Sequence, residues 1–322
     1  MTIIMNDNSL TVSISPHIHG SITTRKIMLC VLIALVPAFI ASIVIFGARA
    51  ALVVVSCAAA SVASEWIFEK GMKKPVTIGD FSAIITGVLL GFNLPVNIPI
   101  WQAVFGSAVA IILIKQLFGG LGKNFANPAV TARIVMFLAF SVTMTASTQP
   151  LPMWVGGTAS LDAVSGSTPL ALLAKGQTDA LPKLTDMLLG LHGGALGETC
   201  SVALILGGIF LIAVKIIKWH TPVAYIATVT AFTALLGYDP LYNVLSGGLL
   251  LGAIFMATDY VTTPQTNSGR LVFGVGAGLL TVIFRIYGSF ADGVSFAILL
   301  MNILTPYINR FTRSRPLGAK ET

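Results

Sequence analysis

Ile27-Met28-Leu29-Cys30-Val31-Leu32-Ile33-Ala34-Leu35-Val36-Pro37-Ala38-Phe39-Ile40-Ala41-Ser42-Ile43-Val44-Ile45-Phe46 is a run of 20 residues without a formal charge. At about 1.5 Å of rise per residue, such a run makes a helix as long as the hydrocarbon core of a bilayer, ~30 Å. Outward from it further apolar runs follow at residues 50–68, 81–94, 98–117, 128–146, 201–217, 222–237, 241–258, 271–287 and 294–307. The reading is an all-α polytopic membrane protein of about ten transmembrane helices. Several runs are short or interrupted by Gly or Pro, as at Asn93-Leu94-Pro95, which predicts broken helices.

Composition agrees. Apolar residues are 55% of 322 and charged residues 10%, where a soluble domain carries about 25%; mean hydropathy is +0.89. The first 24 residues are polar and the first apolar run is of spanning length, so no cleavable signal peptide is expected. The formal charge of +7 does not point to nucleic acid, because the basic residues lie between apolar runs. With the N-terminus placed in the cytoplasm, 15 Lys and Arg fall on that side and 4 (Arg49, Lys175, Lys183, Arg285) on the other, while the acids divide 6 to 6. That is the positive-inside pattern, and it predicts both termini cytoplasmic.

The halves echo each other. Gly87-Val88-Leu89-Leu90-Gly91 recurs as Gly248-Leu249-Leu250-Leu251-Gly252, 161 residues on. Five spans per half is an odd number, so two inverted five-helix repeats are expected, a design that places sites between broken helices at the repeat interface. The expected organisation is a cytoplasmic N-terminal segment (1–26), a first repeat (27–146), an outward loop (147–200), a second repeat (201–308) and a basic cytoplasmic tail (309–322).

Within that loop, Asp162 and Ser165-Gly166-Ser167-Thr168-Pro169 surround a threonine with small residues, and Pro169 biases Thr168 away from helical geometry. On the residues alone this is an ordinary turn. Arg133 lies inside the fifth apolar run, where a charge is expensive and usually has a partner. Asn124 and Asn127, just before Pro128, supply amide donors and acceptors there; contact with a cofactor or partner and support of a helix break are both open. Asp80 and Glu198 read as helix caps, and Asp259 as either a cap or part of an ion path. Cys30, Cys57 and Cys200 are far apart, and the four histidines lack ligand spacing, so neither an iron–sulfur cluster nor a metal is assigned.

Asp162-x-x-Ser165-Gly166-Ser167-Thr168 resembles the acceptor motif of flavin transferases, with Ser167 where that motif usually has Ala. Further blocks resemble the NqrB/RnfD family, on its RnfD side. These are Ser15-Pro16-His17-Ile18-His19, Gly119-Gly120-Leu121-Gly122-Lys123-Asn124-Phe125-Ala126-Asn127-Pro128-Ala129, Gly197-Glu198-Thr199, Phe255-Met256-Ala257-Thr258-Asp259-Tyr260 and Asp292-Gly293-Val294-Ser295-Phe296-Ala297. The longer N-terminal extension of NqrB has no counterpart here. The resemblance implies a flavoprotein subunit of the Rnf ion-translocating (Na⁺ or H⁺) ferredoxin:NAD⁺ oxidoreductase complex in the bacterial inner membrane, carrying FMN as a phosphoester on Thr168. It also implies a flavin transferase for maturation, other Rnf subunits and membrane lipid as partners, and leaves room for noncovalent riboflavin. A secondary transporter or channel without flavin is the competing expectation, since broken helices and inverted repeats suit both.

Overall fold

The computed structural model describes residues 23–146, 150, 167–198, 200–288 and 293–313. Asp162, Ser165 and Gly166, together with His17 and His19, lie outside the described residues. Among the described residues the chain is helical, and each apolar run of the sequence coincides with helix.

Helices α1 (Thr24–Phe46), α2 (Ala48–Gly71), α13 (Asn267–Tyr287) and α14 (Val294–Thr312) are long and apolar enough to cross a membrane by length and composition. With the shorter apolar helices between them, they fit a multi-pass membrane protein. Those include α3 (Ser82–Phe92), α4 (Ile100–Ala108), which continues in π-helical form over Val109–Gln116, α5 (Pro128–Ala139) and α9 (Ser201–Ala213). The run at 128–146 divides at Phe140 (φ −130°, ψ 48°) into α5 and α6 (Ser141–Thr145). After α10 (His220–Leu235), the run at 241–258 is broken into α11 (Pro240–Leu245) and α12 (Leu249–Leu251), the latter prolonged as π-helix over Gly252–Met256. The stretch between α6 and α9, expected as one polar loop, contains α7 (Pro169–Ala174) and α8 (Leu184–Leu189).

Three helices begin with the same grammar. A polar residue accepts from the first free amides while the next residue, Pro, has no amide to lose: Asn127-Pro128, Thr168-Pro169 and Asp239-Pro240. Asp80, expected as a cap, accepts from the Ser82 amide at 2.8 Å, but the N-cap position of α3 is Phe81, which makes no side-chain capping bond.

The helices gather in two groups. α2 packs on α3 and α4, α10 on α13, and α13 on α14; α1 against α9 and α5 against α14 tie the groups together. Close approach explains one repeated glycine. A Cβ on Gly87 would lie 2.6 Å from Ala58 Cα and from Cys57 O, so any side chain there would force α3 off α2. Its counterpart Gly248 serves differently. At φ +66° it caps α12 in the left-handed region that L side chains avoid. The two pentads are alike in sequence and differ in use at their first glycine.

Among the described residues, one ion pair is fully inside the protein. Lys115 Nζ lies 2.5 Å from Glu65 Oε1 and 2.6 Å from Ser82 Oγ, and Gln116 donates to both Glu65 and Glu69. It joins α2, α3 and the end of the α4 helix across the apolar interior, where unpaired charge is costly.

Candidate functional site

Two cavities lie at opposite ends of α3 and α5. The first, about 1040 Å³ including the solvent at its mouth, is bounded by the C-terminal break of α3 (Asn93, Pro95), by Arg133 and Phe137 of α5, by Thr168 and the start of α7, and by the 192–198 turn. Thr168 is half-buried, extended (φ −68°, ψ 151°), and its Oγ1 accepts from the Ala171 amide at 3.2 Å. The fold thus brings Thr168 and Arg133 to one chamber.

Arg133 is held on both sides. Its Nη1 donates to Asn93 Oδ1 at 2.8 Å and to Ser295 Oγ at 3.3 Å. Asn93 turns that oxygen outward because its own Nδ2 donates to Leu89 O at 2.6 Å, closing the broken end of α3. Glu198 does not cap α9, whose N-cap is Cys200 with no side-chain bond. Its Oε1 accepts from the Ala195 amide at 2.7 Å, which closes the 195–198 turn and turns the carboxyl to the cavity wall. A Cβ on Gly248 would lie 2.8 Å from Glu198 Oε2 and 3.6 Å from Arg133 Nη1, so the left-handed glycine lets both charges approach the break before α12. Arg285 fixes that break. Its Nη1 donates to Asn243 O at 2.5 Å and its Nη2 to Ser246 O at 2.9 Å, satisfying the last carbonyls of α11. Backbone pairing seats the 192–198 turn on α3, with Leu196 N donating to Leu94 O and Gly197 N to Phe92 O.

Asn124 and Asn127 do not join Arg133. They line a second cavity, about 780 Å³ including the solvent at its mouth, with Met28, Leu121, Phe255 and Asp259. Asn127 Oδ1 caps α5 by accepting from Ala129 N at 3.0 Å, and its Nδ2 donates to Met256 O at 3.2 Å. Asn124 Oδ1 is buried and has no hydrogen-bond partner, an acceptor left over for something else. Asp259 accepts from Thr262 Oγ1 at 3.1 Å and from Val261 N at 3.4 Å, and burial raises its carboxyl above the ordinary value. Met256 lies between the chambers: Asn127 of the second donates to its carbonyl, and Asn93 of the first approaches its sulfur at 3.7 Å.

Asn93 and His192 are wall residues of the first cavity that sequence reasoning did not select. The Asn93-Leu94-Pro95 interruption was the available signal for Asn93. His192, 4% exposed, offered none beyond its position before Gly193-Gly194.

Residues 11–318 match the family described as the NQR2, RnfD, RnfE family. The chain is similar to the D subunit of the Na⁺-translocating ferredoxin:NAD⁺ oxidoreductase complex of Acetobacterium woodii, 46% identical over 98% of this chain and 97% of that protein. It is similar also to the D subunit of the proton-translocating ferredoxin:NAD⁺ oxidoreductase complex of Clostridium ljungdahlii, 39% identical over 97% of each. The D subunit of the ion-translocating oxidoreductase complex of Stutzerimonas stutzeri is 39% identical over 91% of this chain and 92% of its own.

Proposed function

The chain belongs to the NQR2, RnfD, RnfE family, and we propose that it is the membrane flavoprotein subunit of an ion-translocating ferredoxin:NAD⁺ oxidoreductase complex, with FMN joined through its phosphate to Thr168. The observation that carries this reading is the convergence of Thr168 and Arg133 on one cavity. The residues suit the group. Thr168 offers a hydroxyl at the cavity wall, and Arg133 offers a fixed cation toward a phosphate or an electron-rich ring. When bound, the flavin supplies reversible electron transfer, and the protein supplies position and electrostatics.

The second cavity suits a noncovalent flavin such as riboflavin. Apolar Leu121 and Phe255 would lie against a flat ring, and Asn124 Oδ1 would be an acceptor for an imide N–H. The contacts of Met256 with Asn93 and Asn127 make it a bridge between the two chambers.

In this reading the ten helical runs all cross the membrane as two inverted five-helix repeats. The Lys and Arg distribution supports cytoplasmic termini and an outward Thr168. Ferredoxin and NAD⁺ sites belong to other subunits, and maturation needs a flavin transferase.

The test is intact-protein mass of the chain made beside its flavin transferase. Wild type should gain one flavin mononucleotide less water, with in-gel flavin fluorescence that survives denaturation, and Thr168→Val should have neither. A wild-type chain of unmodified mass sinks the proposal.

A further inference from the structure

A third cavity, about 470 Å³ including the solvent at its mouth, opens where the end of α9, the first turn of α10 and the start of α13 meet. Lys215, Lys218 and Arg270 line it, and among the described residues no carboxylate does. Local backbone and side-chain bonds aim these cations. Lys215 takes a left-handed conformation (φ 61°) to end α9, with its amide on Ile212 O at 3.0 Å, a place usually given to glycine. Asn267 Oδ1 holds Lys218 Nζ at 2.9 Å. Arg270 donates through Nε to Pro264 O at 3.0 Å, while its Nη1 is buried and without a hydrogen-bond partner. A buried guanidinium donor left unmatched costs free energy that an anion would recover. The hydroxyls of Thr221 and Thr263, both buried, stand in the same wall.

The depth of the cavity is marked by aromatics. Trp219, 52% exposed, precedes α10, and Tyr260, 51% exposed and in the cavity wall, follows the Gly252–Met256 segment; exposed amphipathic rings flanking apolar helices suit a membrane–water interface. Basic pockets between helix ends at that level receive phosphate headgroups.

We propose that this cavity binds a phosphate group at the membrane–water interface, presented by an anionic phospholipid headgroup or as free phosphate from solution. Arg270 supplies its unmatched Nη1 donor, and Lys215 and Lys218 supply charge. The site is separate from both chambers described above and stands whether or not Thr168 carries a flavin.

The experiment is native mass spectrometry of the delipidated full chain in neutral detergent. Phosphatidylglycerol, phosphatidylcholine and inorganic phosphate are added in separate arms. Lys215→Gln/Lys218→Gln changes two exposed side chains, so it should keep the wild-type unfolding midpoint while lowering occupancy about tenfold. Arg270→Gln should lower it at least as far. Phosphatidylglycerol bound in preference to phosphatidylcholine, and not displaced by inorganic phosphate, identifies the lipid as the source. Displacement by inorganic phosphate identifies free phosphate. Equal occupancy by both lipids with no phosphate bound, or wild-type occupancy in both variants, overturns the proposal.

Discussion

Arg133 Nη1 donates to Asn93 Oδ1 at 2.8 Å, so a cation in the middle of α5 is held by the broken end of α3. The bond fixes where positive charge enters the Thr168 cavity, and this gives Arg133 a measurable role apart from attachment. Arg133→Gln leaves Thr168 intact, so the flavin adduct should still form. The midpoint potential of the attached flavin should fall by several tens of millivolts, because a neighbouring cation favours the more electron-rich reduced form. Spectroelectrochemistry of the purified variant measures this; an unchanged potential would mean that the guanidinium only braces the helix break.

Lys115 makes the clearest stability prediction. Lys115→Met leaves Glu65 buried with no compensating ammonium, which should cost about 3–5 kcal/mol. The double variant Lys115→Met/Glu65→Leu should recover most of that loss, since removing both partners spares the desolvation of a lone charge. Thermal unfolding in detergent compares the three proteins, and a double variant no better than the single one would contradict the argument.

How legible was this in the sequence? Helix positions followed from local chemistry. Apolar runs located the helices, and Asn127-Pro128 marked the start of α5 through interactions within three residues, whereas Thr168-Pro169, which opens α7, read as a turn. The cavity walls were less legible because they depend on pairing across the chain. Glu198 reads as a cap for α9, yet Leu196 and Gly197 bond to the broken end of α3 and carry its carboxyl to the cavity beside Thr168. Asn124, Asn127 and Arg133 are neighbours in sequence, but α5 separates them: its first residue faces one chamber and Arg133, more than a turn along, faces the other. The glycine pentads show the same limit, since composition cannot tell helix contact at Gly87 from a left-handed cap at Gly248.

Asp259 predicts a pH dependence. Burial raises its folded-state pKa, so its favourable contribution is complete below the unfolded value of about 3.9 and is lost as pH rises through the raised folded value. Above that window the ionised carboxylate burdens the folded state, and Asp259→Asn should relieve it. The unfolding midpoint of Asp259→Asn minus that of wild type should therefore increase with pH. A difference that is flat from acid to neutral pH would contradict the raised pKa.

Orientation can be tested beside the site. Gln177 is exposed, three residues beyond the end of α7, whereas Met72, 60% exposed, follows α2. In the proposed topology these positions lie on opposite faces, Gln177 outward with Thr168 and Met72 in the cytoplasm. In a background with Cys30, Cys57 and Cys200 replaced by serine or alanine, Gln177→Cys should react with a membrane-impermeant maleimide in intact cells. Met72→Cys should react only after permeabilisation. The reverse pattern would move Thr168 to the cytoplasmic face, where a flavin attached to it would meet a different set of redox partners.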